Sequence, residues 1–374
     1  MKRSYWIGIV LVVFIIALAI TACQSQGAAP AKEATPAKAA EPAKQAEPAK
    51  AAAPAKQAIE LTFNAQFPET HFWSRADKAW GDRIEKESGG RVKMKYFWGS
   101  ALYAPPNWYA EIAKGTADIG SEGWSSYQPS GFDLNRAVLF HFYDVADWRM
   151  GVRVYNEVAS EFPQLRAEMA NVKTLAMRGP YGSTQIMTKK RVASLKDLSG
   201  LRIRTIADWL EQLKEVGAEP VAMPAGEVYT SLEKGIVQGT IFPYETLKSF
   251  KLAEVTKYVA ELNMGAFPGP TIHMNLNTWN KLPPDIQKVF NDIGSDVYNE
   301  AAQKAMDESD QDGIAFAKQQ GVEFNKLSQE DLAKWNSLSA AAGAKQAAAA
   351  DAKGLPASKA VAKVRALIEQ YKKK

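Results

Sequence analysis

The chain has 374 residues, 46% of them hydrophobic, and a formal net charge of +5 at pH 7. The basic N-terminus, a lysine-rich stretch after it and the three C-terminal lysines together carry +7, so the body of the chain carries −2. A slightly acidic body argues against nucleic acid as a partner. The single cysteine, Cys23, lies outside the body, which excludes disulfides, a thiolate nucleophile and a cysteine-based metal site there.

The N-terminus has the pattern of an export signal. Lys2 and Arg3 precede an apolar run over residues 6–20, and small residues lead to Cys23. This resembles a bacterial lipoprotein signal, so we expect residues 1–23 to be a signal peptide with Cys23 as the lipid anchor. An uncleaved membrane anchor is the alternative, since a run slightly under the roughly 20 residues of a spanning helix can tilt or thin the bilayer. Either interpretation places the body on the periplasmic or extracellular face of a membrane.

Residues 24–58 repeat Pro-Ala-Lys with a six-residue period. Regularly spaced prolines interrupt helices and favour extended conformations, and the Ala, Glu and Gln between them cannot form a core. We predict a disordered, semi-stiff stalk that holds the body away from its membrane.

The body begins near Ile59 and is long enough for two domains. Residues 61–65 have the composition of a strand, residues 73–87 that of a helix, and residues 91–97 alternate with period two, as a half-buried strand does. Alternating strands and helices indicate an α/β fold with largely parallel pairing.

Two later segments echo each other. Residues 108–114 and 228–234 both read as helices that end in Lys-Gly, where lysine meets the helix dipole and glycine supplies a left-handed cap. The echo suggests two similar domains, although any α/β protein can offer such caps.

The last third of the chain is predicted to be mainly helical. Pro283 and Pro284 open a helix that could extend toward Gln319, long enough to span two domains. A short strand near residues 321–324 and two further helices follow.

A search for catalytic chemistry finds little. The three histidines, His71, His141 and His273, are far apart and lack metal-ligand spacing or an adjacent nucleophile. The chain has no Gly-rich phosphate loop and no Walker motif. We interpret each histidine as a packed or surface residue and expect no cofactor, while a surface-anchored hydrolase or lyase stays open as an alternative.

Aromatic residues crowd into the first half of the body, several of them just past strand or helix ends, where clefts form. A cleft lined by aromatic side chains suits an apolar or planar ligand, and Trp73 is a candidate ligand contact. Trp80 and Trp108 lie on helical faces and are better interpreted as core. The set is Trp73, Trp80, Trp98, Tyr103, Trp108, Tyr109, Trp124 and Tyr127.

A family resemblance covers nearly all of residues 61–319. Residues 195–205, with Leu-Lys-Asp-Leu-Ser-Gly-Leu-Arg-Ile-Arg-Thr, are its strongest element. As a set, the segments resemble solute-binding proteins of TRAP transporters, the DctP type. The other segments are residues 89–91, 115–119, 217–221, 227–229, 235–243 and 280–283, together with Gln287.

The resemblance implies an α/β, two-domain, periplasmic-binding-protein-like clamshell with a long helix crossing both domains. Domain I would comprise residues 59–181 plus 268–307, and domain II residues 182–267 plus 308–374. Such a receptor closes on a small, usually carboxylate-bearing solute and delivers it to TRAP membrane permease subunits driven by an ion gradient, without transforming it. A sensory receptor on the same binding fold is a further alternative.

In the family, an arginine on the strand after the Leu-x-Gly-Leu motif pairs with the ligand carboxylate. Strand alternation places Arg202 and Arg204 on one face and cannot choose between them; the resemblance chooses Arg204. A guanidinium fork matches a planar carboxylate bidentately.

Three positions depart from the sialic-acid-binding branch of the family. A second ligand arginine there falls on Thr184 here, an asparagine on Phe242, and a pocket phenylalanine on Ala225. The loss of polar partners and the gain of Phe242 disfavour a sugar acid and favour an apolar or aromatic carboxylate. Arg178 could supply replacement charge or could lie on the crossing between domains.

Further ligand contacts are expected from both domains. Glu122 and Trp124 should project into the cleft from the first domain, and Tyr244 should lie at the mouth of the second. The branch that binds 2-oxo acids with a metal ion uses a Trp-Glu arrangement that residues 242–245 do not match. We therefore expect no bound metal.

Overall fold

The computed structural model describes residues 58–121, 131–139, 145, 148–179, 184–206, 209–264 and 269–373. These all belong to one compact unit, Ala55–Lys374. The predicted signal, the lipid anchor and the stalk up to residue 57, together with Glu122, Trp124, Tyr127 and His141, lie outside the described residues.

The described residues form alternating strands and helices, as the sequence predicts. The strands are β1 Ile59–Ala65, β2 Val92–Phe97, β3 Ile119–Ser121, β4 Val172–Arg178, β5 Thr184–Thr188, β6 Arg202–Thr205, β7 Glu219–Ala222, β8 Gly239–Pro243, β9 Tyr258–Met264, β10 Gly269–Asn275 and β11 Glu323–Lys326. The helices are α1 Phe72–Glu87, α2 Trp108–Lys114, α3 Asp133–Leu139, α4 Trp148–Glu161, α5 Gln164–Ala167, α6 Leu210–Glu215, α7 Val228–Glu233, α8 Thr246–Ser249, α9 Leu252–Val255, α10 Leu276–Lys281, α11 Pro284–Gln319, α12 Gln329–Asp351 and α13 Ala357–Lys372.

The strands form two separate sheets. The first has the order β2-β1-β3-β10-β4 and the second the order β11-β9-β5-β8-β6-β7. We call each sheet with the helices that pack on it the first and second lobe. The two-domain α/β fold expected from the sequence is confirmed, whereas the exact domain boundaries stay a prediction.

Pairing is parallel along each β-α-β stretch, but two strands reverse it. β5 runs antiparallel to both β8 and β9, and β10 runs antiparallel to both β3 and β4. Both strands begin only a few residues after a strand of the other sheet ends, whereas β11 is reached through α10 and α11 and pairs parallel with β9. A crossover that includes a helix is long enough to return the chain parallel.

The long helix α11 is confirmed, with a break that the sequence analysis did not predict. Gly294 has φ 40° and ψ −140°, a conformation that favours glycine, and its carbonyl oxygen accepts a hydrogen bond from Nε1 of Trp80 at 3.1 Å. Further along, a Cβ at Gly313 would clash with the main-chain oxygen of Tyr244 in the second lobe. The helix therefore packs closely on both lobes.

Hydrophobic clusters fill each lobe. In the first lobe, Trp80 and Trp108 are fully buried, as the sequence analysis expected of them. The last helix, α13, packs in the same cluster as α3 and α4 of the first lobe. The sequence analysis instead grouped residues 357–372 with domain II, because nothing in their pattern reveals which lobe their apolar face covers.

Candidate ligand-binding site

Several predicted site residues of the second lobe lie at one edge of its sheet. β6 and β8 are parallel neighbours, so their carboxyl ends share an edge, and β5 begins at that edge because Thr184 pairs with Pro243. Arg204 and Phe242 stand near the ends of β6 and β8. In open α/β sheets, ligands bind outside the carboxyl ends of the strands.

Arg204 is buried, with 1% of its surface exposed. Its Nε and Nη2 donate to the main-chain oxygen of Met223 at 3.1 and 3.0 Å, and Nη1 lies 3.5 Å from the oxygen of Ile241. The guanidinium carbon lies 4.2 Å from the ring centroid of Phe242. Main-chain oxygens and an aromatic face thus fix the orientation of this cation.

Arg202, two residues earlier on the same strand, has a different environment. It is exposed, its Nη2 donates to the carbonyl oxygen of Gly235 at 2.8 Å, and its Nε reaches Oε1 of Gln238 at 3.4 Å. Strand alternation alone could not separate the two arginines. Arg202 lies at the amino end of β6, three residues before the last residue of this strand.

The half-buried ring of Phe242 belongs to a larger aromatic group. It stacks on Phe250 with centroids 5.8 Å apart and 14° between the planes. Tyr244, expected at the mouth of the cleft, donates to Oε1 of Glu261 at 3.0 Å and packs against Phe324. Burial and Glu261 raise the pKa of Tyr244. The structure therefore brings Arg204 and Phe242 together and ties Tyr244 to β9 and β11.

The first lobe presents a second buried arginine at the matching edge of its sheet. β3 and β4 end at this edge in Ser121 and Arg178. Arg178 is 8% exposed; its Nη2 donates to Oγ of Ser121 at 2.6 Å and to the hydroxyl of Tyr298 at 2.9 Å. Its guanidinium carbon lies 3.9 Å from the ring centroid of Trp73. The predicted residues Arg178 and Trp73 are thus in direct contact.

The carboxylate of Asp77 lies close enough to balance the charge of Arg178. Its Oδ1 accepts hydrogen bonds from Ser121 at 2.8 Å and Tyr298 at 3.1 Å and lies 3.7 Å from Nη2 of Arg178. Burial raises the pKa of Asp77 to about 6, against the lowering effect of Arg178 and the two hydroxyl donors. The effect of burial on the pKa of Asp77 therefore exceeds the opposing effect of the Arg178 charge.

The sequence analysis missed Asp77, Ser121 and Tyr298. A signal was available for Asp77, because it lies one helical turn from both Trp73 and Trp80 on the buried face of α1. A carboxylate on such a face is rarely left without a partner. Ser121 and Tyr298 come from distant segments, and no local pattern distinguishes them.

The two edges are close in space. Six residue steps separate Arg178 from Thr184, which limits their Cα separation to roughly 20 Å. The start of this crossing is fixed to the long helix, since the amide of Gly179 donates to Oδ1 of Asn299 at 2.8 Å. The arginines of both lobes therefore belong to one inter-lobe region.

The described ranges contain neither a cluster of metal-ligating side chains nor a helix suited to span a membrane. Within them, no three His, Cys, Asp or Glu side chains are placed to hold a metal ion. Likewise, none of the helices over these ranges combines the length and apolarity that a membrane crossing requires.

Asp77 and Asp310 give a testable pH dependence. Burial and the neighbouring carboxylate of Glu245 raise the pKa of Asp310 to about 7, although the amide of Glu245 donates to it at 2.9 Å. Both aspartates keep protons in the folded state that the unfolded chain releases, so the stability that these two groups contribute should be lost as pH rises from about 4 to about 7, while buried His273, whose pKa is lowered to about 3, acts in the opposite direction. At about 1.4 kcal/mol per pKa unit, the two raised pKa values together correspond to a loss on the order of 7 kcal/mol.

Urea unfolding at several pH values would measure this loss. Asp310→Asn should flatten the profile, because it removes one of the two groups. The matched control is Asp312→Asn, since Asp312 is exposed and its ion pair with Lys248 lowers its pKa. An unchanged profile for Asp310→Asn would contradict the assignment.

Comparison with known proteins identifies the family. Residues 63–349 match the model of the bacterial extracellular solute-binding proteins, family 7, called DctP. Among curated relatives, the 2,3-diketo-L-gulonate-binding periplasmic protein of Escherichia coli K12 is 26% identical over 242 residues, covering 62% of this chain and 70% of the relative.

Solved structures of TRAP periplasmic solute-binding proteins are similar to this chain in fold. A TRAP periplasmic solute-binding protein from Desulfovibrio salexigens is 29% identical with a TM-score of 0.71, covering 84% of this chain and 96% of that one. A TRAP periplasmic solute-binding protein from Bordetella bronchiseptica, solved with bound mandelate, is 25% identical with a TM-score of 0.72, covering 84% and 99%. The chain belongs to family 7 of the bacterial extracellular solute-binding proteins, substrate-binding receptors of the periplasm, and has the two-domain fold of the TRAP receptors.

Proposed function

We propose that this protein captures an aromatic or apolar monocarboxylic acid between its lobes and delivers it, chemically unchanged, to TRAP permease subunits in the membrane. The observation that carries the proposal is Arg204, a buried guanidinium held by main-chain oxygens against the ring of Phe242. A carboxylate placed on the guanidinium edge would lie beside an aromatic wall.

Physical chemistry favours a carboxylate at this position. Arg204 keeps its charge at any physiological pH, and a charged pair in a water-poor cleft is stronger than in water. The guanidinium is already oriented, so binding costs little further ordering of this side chain.

Relatives support the ligand class. The Bordetella protein binds mandelate, an aromatic hydroxy acid, and the Escherichia protein is named for a sugar-derived acid. Both ligands carry a carboxylate, and they differ in the polarity of the rest of the molecule. Phe242 in contact with the arginine favours the aromatic class for this chain.

We assign the first lobe the role of a second aromatic wall. Asp77 already balances the charge of Arg178, and Arg178 lies flat against Trp73. We therefore expect Arg178 to hold Trp73 in place and Trp73 to contact the ligand. Thr184, Tyr244, Glu122 and Trp124 remain proposed lining residues of the same cleft.

Phe242→Asn tests the aromatic wall. The variant should weaken binding of an aromatic acid such as mandelate by about tenfold more than binding of a small polar acid such as lactate, since an aromatic contact contributes about 1 kcal/mol or more. Calorimetric titration would measure both affinities. Ile236→Asn is the control, because Ile236 is 49% exposed and stands apart from this edge. Equal losses for both acids would remove the argument for an aromatic wall.

A thermal-shift screen tests the function itself. Aromatic monocarboxylates should raise the melting temperature by mass action, while the corresponding neutral amides should not. Mass spectrometry of the incubated ligand should show no product, which distinguishes the receptor from a hydrolase or lyase. A shift with amides as large as that with acids, or conversion of the acid, would contradict the proposal.

We also propose that Cys23 carries the lipid that holds the receptor at the outer face of the membrane. The support is the charged, apolar and small-residue pattern before it. Mass spectrometry of the protein isolated from membranes should show an N-terminal lipid-modified Cys23, and Cys23→Ser should abolish this lipid. An unmodified Cys23 with the signal still attached would favour the uncleaved anchor.

A further inference from the structure

His71 in the first lobe makes a buried polar contact with the second lobe. It precedes α1, and its Nδ1 accepts a hydrogen bond from the amide of Trp73 at 3.2 Å. In neutral imidazole, an accepting Nδ1 leaves the proton on Nε2. That Nε2 lies 3.1 Å from Oε1 of Glu245, which follows β8, and the two side chains are 5% and 2% exposed.

Glu245 depends on this contact. Its Oε2 accepts from the hydroxyl of Ser249 at 2.6 Å, but no donor in the described part of the chain reaches Oε1 with hydrogen-bond geometry. The approach of His71 is therefore an electrostatic contact and not a straight hydrogen bond. If the lobes moved apart while Glu245 stayed buried beside Ser249, its Oε1 would lose the His71 contact, which is costly for a buried carboxylate.

The ring of His71 also joins an aromatic series that ends at the proposed ligand arginine. It stacks on Phe67 at 4.1 Å and 10°, and it meets Phe250 edge-on at 6.2 Å. Phe250 stacks on Phe242, which lies against Arg204. The series runs without a gap from the loop after β1 to the second-lobe site.

We propose that His71 is a positioning residue for ligand capture: it ties the start of α1 to Glu245 and Phe250, holds the Phe242–Arg204 pair in place and favours the arrangement with the lobes together. The ligand part of this inference rests on the proposed function. The tie between the lobes is inferred from the contacts alone. The tie and the effect on ligand affinity are therefore measured separately.

Three substitutions separate the polar contact from packing. His71→Phe keeps a ring for the stack and removes both nitrogens. Glu245→Gln removes the negative charge but keeps a carbonyl oxygen facing Nε2 and leaves the ring of His71 in place, so it should weaken the electrostatic contact only in part and gives a second test if His71→Phe is poorly folded. Lys248→Ala is the matched control, since it removes an exposed ion pair with Asp312 one turn from Glu245.

Spectroscopic distances report the tie without ligand. In the full chain with Cys23→Ser, purified in mild detergent, exposed positions Ala110 and Lys196 can be changed to cysteine as the only two labelling sites. His71→Phe should shift the label separation in ligand-free protein toward longer distances. Glu245→Gln should shift it less, and Lys248→Ala should leave it unchanged.

Affinity for mandelate, measured by titration of the same proteins, provides the second readout. His71→Phe should weaken it at least fivefold, mainly through faster dissociation, while Lys248→Ala should not. If the parent protein fails to bind mandelate but the distances shift as expected, the tie stands and the mandelate assignment fails. If mandelate binds and His71→Phe leaves the distances unchanged, the inference is overturned whatever happens to the affinity.

Discussion

Arg204→Ala should weaken binding of an aromatic carboxylate by at least about 30-fold, or about 2 kcal/mol, as measured by calorimetric titration. The reason is the loss of a buried charge that two main-chain oxygens and Phe242 hold in a fixed orientation. Arg204→Lys should recover only part of the affinity, since an ammonium cannot form the two parallel bonds of a guanidinium fork.

The matched control lies on the same strand. Arg202→Ala removes an identical side chain that is exposed and bonded to Gln238 and Gly235, so it should change the affinity by less than about twofold. Circular dichroism and melting temperature would verify that both variants fold. Equal affinity for the parent and a folded Arg204→Ala would remove Arg204 from the site, and a larger loss for Arg202→Ala would transfer the role to Arg202.

Asp77→Ala should have the largest effect on stability, lowering the free energy of unfolding by about 3 kcal/mol at pH 7. The substitution leaves Arg178 buried beside Trp73 without a compensating charge, and it removes the acceptor of Ser121 and Tyr298. Removal of one partner from a buried pair costs more than the pair contributes, because the remaining charge stays desolvated.

Asp82→Ala is the control on the same helix. Asp82 forms an exposed ion pair with Lys78 at 2.8 Å, and such pairs contribute about 0.5 kcal/mol or less. Urea unfolding would measure both variants. A loss below about 1 kcal/mol for Asp77→Ala would show that Arg178 does not depend on this carboxylate.

The fold was predictable from the sequence where signals are local. The alternation of residues 91–97, the Lys-Gly end of α2 and the proline pair before α11 predict elements that the structure confirms. The break at Gly294 escaped prediction, and the hydrogen bond that its carbonyl oxygen accepts comes from Trp80, which is distant in sequence. The placement of α13 on the first lobe escaped it for a similar reason, since an amphipathic helix does not indicate its partner.

Prediction of the site divides in the same way. Strand alternation placed Arg202 and Arg204 together, and only a family resemblance preferred Arg204; the structure gives the two very different burial. The partners of Arg178 come from α1, β3 and α11, segments as much as 221 residues apart. Contacts of this range depend on the packing of whole lobes, which no motif encodes.

The contact between His71 and Glu245 shows the limit of motif-based inference. The sequence analysis interpreted His71 as a packed or surface residue, and the structure shows that it is packed, buried in an aromatic stack. Its position between the two lobes depends on the loop after β1 meeting the loop after β8. That meeting is a property of the tertiary structure.

The most direct test of the account is a crystal structure of the protein with a bound aromatic acid. We predict one molecule between the lobes, with its carboxylate oxygens at roughly 2.7 to 2.9 Å from the guanidinium nitrogens of Arg204 and its ring against Phe242. A carboxylate bound elsewhere, with the guanidinium of Arg204 making no contact to the ligand, would contradict the account.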